Sequence, residues 1–462
     1  MILIALFLPA LLGFFILALM FRDEQGTGLL ERISLAFPLG AGVLTMQMFV
    51  LGLFRVPLTL GYIGIPLAVE IVLLTFWAIK KKIVFPPRGE WGLRDDITSS
   101  KNPLMKKVAL LLLLIWIGAK LLSVFVKTGL LPIYAWDSWA NWSSGAKLFY
   151  FTQGLLLDVP PEDFFSRGAV LRIISYPLHN PLMQVWMSLW TGAFDEVLVK
   201  FWSPVYLLAM TVSLYLIASR ELGRLAALAL VAMFLSSPLL SYHATEVYSD
   251  LPLGVYLFLA SLSFLNAMRG RHSYWFLLGL FSAEALFTKD EALFFVAPLL
   301  LSAFIFVWQT SDAAARRWQI VRSIVVPALL VAPWYLFKFS HALGLGAKDI
   351  RLEFTFHPEV IIVVIIQVLS LANFNLFFIF PVILMLIGGK PSREILHLFA
   401  ATACYALFFI MLYMFTTFYH LHFSQGTIFN RNLLTYYPVA ALLTVLLLKR
   451  IGLRSMTAVQ EH

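Results

Sequence analysis

Long apolar runs separated by short polar intervals set the pattern of this chain. Ile2–Phe21, Ile33–Phe54, Leu60–Ile79, Val108–Val126, Val197–Ser219, Leu225–Ser241 and Leu251–Met268 come first. Tyr274–Phe287, Ala292–Trp308, Ile324–Phe337, a stretch within Val360–Ile387, Ile395–Phe415 and Leu433–Leu448 follow. A helix rising 1.5 Å per residue needs about 20 such residues to cross the hydrocarbon core of a bilayer. The pattern therefore predicts an all-α, polytopic integral membrane protein of about 13 transmembrane helices. Pro181–Phe194 is apolar but reaches only about half that length, and counting it as a span would invert everything downstream. It is expected to lie at the interface or to re-enter.

Composition agrees, with 61% hydrophobic and 13% charged residues among 462 and a mean hydropathy of +0.86. The net charge of +9 does not indicate nucleic acid, because the basic residues sit in short clusters between apolar runs. These are Lys80–Lys82 with Lys106 and Lys107, Arg220 with Arg224, Arg269 with Arg271, Arg316 and Arg317 with Arg322, Lys390 with Arg393, and Lys449, Arg450 and Arg454. Placing all of them in the cytoplasm lets successive spans alternate, with the N-terminus outside and the C-terminus inside. Met1–Met20 lacks the basic start and small-residue cleavage site of a secretory signal, so it is expected to remain as a helix. Cys404, the sole cysteine, lies in an apolar run without a partner, which excludes disulfide and thiolate-metal chemistry.

This orientation brings the polar residues of interest to the outer side: the loop 127–180, Ser249 with Asp250, Lys289 with Asp290 and Glu291, and the loops 341–359 and 416–432. In YAWDSWANWSSGAKLFYF, Asp137 stands among Trp136, Trp139 and Trp142. One reading makes it a helix cap beside an interfacial tryptophan belt. The sharper reading places Trp139 and Trp142 on one helical face at i and i+3, beside a carboxylate able to take a proton from a hydroxyl. No second acid stands nearby. Glycoside hydrolysis generally uses two carboxylates, whereas a sugar leaving from phosphate departs as a stable anion. One base with phosphate-binding cations would then suffice.

Lys289 in FTKDEALFF and Arg431 in FNRNLLTYYP are outward basic residues that run against the positive-inside bias. Lys289 has the alternative of pairing with Asp290 or Glu291, and Arg431 that of snorkelling from a helix end. A guanidinium fork also suits bidentate phosphate binding. His420 and His422 alternate in an outer loop; with His179 and Asp250 they could form a metal site, but hydrogen bonding to a headgroup, an acceptor or the protein is the expectation. Within the spans Glu70 and Lys120 are expected to face the protein interior, where they are candidate partners for each other. No Walker or GxGxxG phosphate loop occurs, so no nucleotide is called for.

Five stretches in order, WDSW, ISYPLHNPLMQVW, EVYSDLPLGVYLFLA, ALFTKDEALFF and NRNLLTYYP, resemble the GT-C superfamily of membrane glycosyltransferases. More closely, they resemble bacterial relatives of the dolichyl-phosphate-mannose protein mannosyltransferases and of the lipid A aminoarabinose transferase. The resemblance covers roughly 108–448, leaving 1–107 as an accessory group of helices with a cytoplasmic loop and 449–462 as a cytoplasmic tail. It implies a GT-C-type module with short interfacial helices in a periplasmic first loop, 127–180. It also implies an inverting transfer from a polyprenyl-phosphate-linked sugar to a lipid, glycan or protein acceptor, at a bacterial inner membrane with the active site facing the periplasm. By the same resemblance Asp137 and Asp250 are the acidic catalytic residues, and Lys289 and Arg431 meet the donor phosphate. Trp136, Trp139, Tyr176, His179, Asn180, Glu291, His420 and His422 complete the substrate-binding set. The family's frequent second acid in the first loop is Ser138 here, which argues against a required metal, and no cofactor is expected. Membrane lipids, and no nucleic acid, are the other expected partners. The rival reading is a multispan transporter or lipid flippase, suggested by Glu70, Lys120 and Glu284 within spans.

Overall fold

A computed structural model describes residues 1–22, 27–83, 102–155, 176–341, 343, 354–369, 371–419 and 427–460. Among these the chain is helical, and its β-structure is limited to an isolated bridge between Phe354 and Thr416. Among the described residues ten helices are long and apolar enough to cross a membrane, and eleven if one bent pair counts as a span. The fold is thus the polytopic helical architecture that the apolar runs predict.

Chain direction alternates between two ends of the bundle. Helices α1 (Ile2–Met20), α2 (Leu29–Leu53), α3 (Leu60–Lys80) and α4 (Pro103–Leu130) precede the first loop. That loop carries α5 (Ser144–Thr152) and leads into α6 (His179–Thr191). Next come α7 (Trp202–Leu222), α8 (Arg224–Leu235), α9 (Pro238–Ala244), α10 (Asp250–Met268) and α11 (Tyr274–Leu286). The remainder comprises α12 (Leu293–Thr310), α13 (Ala313–Ile320), α14 (Val326–Ser340), α15 (Glu359–Leu369), α16 (Ile379–Ile387), α17 (Arg393–Phe415) and α18 (Thr427–Gln460).

Burial ranks the helices by their distance from lipid. In α10, 94% of the apolar window is buried, against 11% in α4. α10 is apolar on every side because protein surrounds it, packing against α7, α11 and α18. On α4, Leu111, Leu112, Leu114 and Ile115 are exposed, as a helix facing hydrocarbon requires.

Three expected spans take another form. The run 225–241 divides into α8 and α9, bent by 73°. Ser236, Ser237 and Pro238 make the break: the Ser237 side chain accepts the Leu240 N–H, and proline occupies the first turn of α9, where it needs no N–H partner. The run 274–287 forms the 13-residue helix α11, and the stretch within 360–387 is interrupted between α15 and α16. The short segment 181–194 forms α6, too short to cross, as its length demands. Its residues 181–188 are buried under protein, with Trp186 donating to the Ala5 carbonyl at 2.7 Å.

The first two helices are built into this core. A Cβ on Gly13 would come within 2.0 Å of the Ala36 carbonyl, and one on Gly40 within 1.7 Å of the Pro9 carbonyl, so the two backbones touch through their glycines. Gly42 likewise leaves the space taken by the Glu284 carboxyl of α11, which a Cβ would approach to 2.1 Å. Glu70 accepts a hydrogen bond from Gln47 at 2.9 Å. Its partner is therefore a neutral amide of α2 and not Lys120, because α3 packs on α1 and presents Glu70 towards α2.

A network of charges closes the end of the bundle where the basic clusters gather. Glu31 takes Arg220 at 2.5 Å, Arg271 at 3.5 Å and the Tyr274 hydroxyl at 2.6 Å. Arg269 joins Glu221 at 2.7 Å to Glu394 at 3.1 Å, and Lys449 reaches Glu221 at 2.5 Å. These bonds tie the ends of α2, α7, α10, α11, α17 and α18 together.

The glycine contact between α1 and α2 gives the first prediction. Gly40→Ala should lower stability by about 1–3 kcal/mol through overpacking against backbone that cannot move aside. Thermal unfolding of the detergent-solubilised protein measures this, and an unchanged melting temperature would refute the close approach.

Candidate active site

The opposite end holds a cluster of five charged side chains brought together from four parts of the chain. Asp250 opens α10, so its carboxylate lies at a helix N-terminus, where negative charge is favoured. It is fully buried. Arg431, in the first turns of α18, donates Nε at 3.0 Å and Nη2 at 2.9 Å to Asp250 Oδ2. Lys289, in the extended link after α11, donates to Oδ1 at 3.1 Å and pairs with Glu291 at 3.0 Å. The remaining Nη1 of Arg431 reaches Asp137 Oδ2, and Asn141 donates to Asp137 Oδ1 at 3.0 Å. One guanidinium thus bridges two carboxylates, while Asp137 keeps a quarter of its side chain exposed.

Helix packing makes this meeting possible. One turn beyond Asp250, Gly254 approaches the Thr435 carbonyl of α18 so closely that a Cβ would lie 3.0 Å away. Thr435 in turn sits one turn beyond Arg431. The same face of α18 is pinned to α17 by Asn432 donating to the Tyr413 hydroxyl at 2.7 Å and by a 2.8 Å bond between Thr435 and Tyr405. Asn180 anchors the chain entering Asp250: its amide donates to the Val247 carbonyl at 2.6 Å and to Ser249 Oγ at 3.0 Å, and Gln184 donates to its oxygen at 2.9 Å.

Asp137 has its own brace. Lys200 donates to the Pro132 carbonyl at 3.2 Å and lies 3.7 Å from Glu246, both side chains being wholly buried. Burial pushes the Glu246 carboxyl up, and the nearby Lys200 ammonium offsets this only in part. The pair grips the segment that delivers Asp137. Tyr248 lies under the Arg431 guanidinium at 4.8 Å, and His243 lies 3.7 Å from Asp250.

Burial alone would lower the Lys289 ammonium, but Asp250 and Glu291 more than offset it and hold it above its ordinary range, so it stays charged. Burial and the nearby Glu291 push the Tyr176 phenol up, leaving a neutral hydroxyl. Its ring packs on Trp142 at 5.5 Å.

Several sequence expectations are altered. Ser138–Ser143 is a π-helical turn, wider than an α-helix, so Trp139 and Trp142 do not share a face. Trp142 is buried, whereas Trp139 is half exposed and pairs with the exposed Trp136 at 5.9 Å. His179 is not in the cluster. It is buried with both ring nitrogens engaged, Nδ1 with Thr45 at 2.8 Å and Nε2 with Tyr206 at 2.9 Å, which leaves no face for a substrate. Asn180 is also wholly buried and satisfied by protein groups, so it positions the chain instead of touching a ligand. Asp250, with both oxygens taken by cations, is the anchor of the cluster. His420 and His422 lie outside the described residues. Among the described residues no three His, Cys, Asp or Glu side chains are placed to hold a metal.

Sequence reasoning passed over Lys338, which donates to both oxygens of Asp290 at 2.9 and 2.8 Å and so keeps that acid away from Lys289. It ends α14 on the same face as the cluster, against the positive-inside bias, the very signal that marked Lys289 and Arg431. Glu246 and Tyr248 stand within EVYSD, but nothing in their spacing separates them from Asp250.

Fold and cluster together define a polytopic membrane protein with a charged site capping one end of its bundle. Residues 177–337 match the family model for dolichyl-phosphate-mannose-protein mannosyltransferase. With the fold, that match supports a membrane glycosyltransferase of the GT-C type, and the matched span includes Asp250 and Lys289. No curated protein matches the chain.

Burial lowers the His179 imidazole to about 3, so it is neutral in the folded protein. The unfolded chain, with an ordinary value near 6.5, binds the extra proton between those limits. The associated stability is complete above about pH 6.5 and falls by up to roughly 1.4 kcal/mol per pH unit below it. Thermal melts from pH 7 to pH 5 should show this slope in the wild type and a shallower one in His179→Gln; equal slopes would refute it. Gly254→Val should part α10 from α18, costing about 1–3 kcal/mol and most of the transfer activity. A variant retaining full activity would show that the close approach is dispensable.

Proposed function

We propose that the protein transfers a sugar from a polyprenyl-phosphate carrier to an acceptor hydroxyl with inversion, on the extracytoplasmic side of the membrane. The observation carrying this reading is the bridge that Arg431 makes between Asp137 and Asp250, with Lys289 alongside. Asp137 is the partly exposed carboxylate and serves as base. Its oxygens are occupied by Arg431 and Asn141, so phosphate binding would proceed by exchange: the donor phosphate draws Nη1 of Arg431 away and leaves Asp137 free to act.

The acceptor oxygen then attacks the anomeric carbon and gives its proton to Asp137. The bond from that carbon to the phosphate oxygen breaks, and its electron pair leaves with the polyprenyl phosphate, whose charge Lys289 and Arg431 meet. Asp250 holds both cations in place throughout. Trp136 and Trp139, exposed beside Asp137, offer aromatic faces to a sugar or acceptor at membrane depth.

The test is transfer by the purified protein in proteoliposomes supplied with a polyprenyl-phosphate sugar. Asp137→Asn should reduce turnover by about 10²–10⁴-fold with folding intact. Unimpaired transfer would remove the proposed base, and altered lipid movement without loss of transfer would favour a flippase. Retention of anomeric configuration in the product would overturn the single displacement.

A further inference from the structure

At the end of the bundle away from the cluster, α13 has no buried residue and runs into a second π-helical turn, Val321–Val325. Between this turn and the connection from α10 to α11 lies an open cavity of about 270 Å³ lined by His272, Ala315, Trp318, Gln319 and Arg322. Gly279 of α11 fixes its floor, because a Cβ there would meet the Arg322 carbonyl at 2.3 Å. The backbone of Arg322 is thereby seated against α11 while its side chain remains exposed.

Several neighbouring cations at this end are engaged within the protein. Arg220, Arg269 and Arg271 are paired with carboxylates, and Arg316 donates to the Ser311 carbonyl and lies over Trp308 at 4.3 Å. Arg322 and His272 differ: among the described residues neither side chain has a hydrogen bond or ion pair, and both face the cavity. A cation that lines a concave surface at a membrane edge, with no carboxylate among the lining residues, suits an anionic ligand. Trp318, 65% exposed, has the amphipathic character of a residue at headgroup level. Below it Val325, the last residue of the turn, and Leu329 of α14 expose an apolar track suited to acyl chains.

We propose that this cavity binds the phosphate headgroup of an anionic phospholipid, Arg322 and His272 holding the phosphate and Gln319 the polar headgroup. The site is remote from the cluster and does not rest on the transfer reaction. The test uses the full-length protein in non-ionic detergent, titrated with short-chain phosphatidylglycerol and followed by melting temperature and by native mass spectrometry of bound lipid. The wild type should show a saturable rise in melting temperature and a retained lipid. Arg322→Gln combined with His272→Gln should raise the half-saturating concentration about tenfold or more. Lys390→Gln, removing an exposed charge at the same end, should leave the response unchanged. An unaltered response in the double variant, or an equal loss in Lys390→Gln, would overturn the site. Sodium phosphate that reproduced the rise at equal concentration would assign the cavity to a soluble anion and overturn the lipid. Should the double variant fold poorly, Arg322→Gln alone read by bound-lipid count decides the matter in the same way.

Discussion

A single guanidinium shared by two carboxylates governs the end of this molecule that carries the candidate site. Arg431 cannot lie among apolar helices uncompensated, because the desolvation of an unpaired ion amounts to several kcal/mol. Asp250, fully buried, has the same need. Their union requires α10 and α18 to approach at Gly254, and it requires the loop after α4 to bring Asp137 across both. The local excess of acid, Asp137, Asp250 and Glu291 against Lys289 and Arg431, means that a phosphate entering here competes with carboxylates already in place. Exchange of partners, and not simple attraction to a free positive patch, is the natural event at such a site.

The bundle is closed at its other end by Glu31, Glu221 and Glu394 with their arginines and Lys449. Between the two charged ends the helices carry their backbone bonds internally and differ chiefly in how much lipid they see. α10, α18 and α2 are enclosed, and α3 and α4 are peripheral. The site thus sits on the most enclosed helices, with Asp137 arriving from the loop that follows a lipid-facing one. That arrangement lets the anchor be rigid and the base be reachable.

The helices were legible because a bilayer imposes length and hydropathy on each crossing, and these are one-dimensional properties. Asp137, Lys289 and Arg431 were legible for the converse reason, as charges placed where hydropathy and the positive-inside bias disfavour them. What escaped was local geometry. The π-helical turn after Asp137 leaves no mark in SWANWS that distinguishes it from an α-turn, so Trp142 was expected beside Trp139. His179 stands in a polar motif, PLHNP, yet Thr45 and Tyr206, far away in sequence, enclose it. Glu70 is paired in expectation with Lys120, the other charge within a span, whereas an amide on another helix satisfies it. The misses at His179 and Glu70 concern partners distant in sequence, which periodicity cannot supply.

The vacancy beside Gly42 has a consequence for how much of this chain can be dispensed with. The Glu284 carboxyl rests in that notch, so α2 acts as its shield against hydrocarbon. A protein shortened to begin near α4 would turn this acid towards acyl chains, at a cost that a helix of only 13 residues is poorly equipped to absorb. The N-terminal pair of helices is therefore a wall of the house and not a porch, and a shorter relative could omit it only by replacing the acid as well.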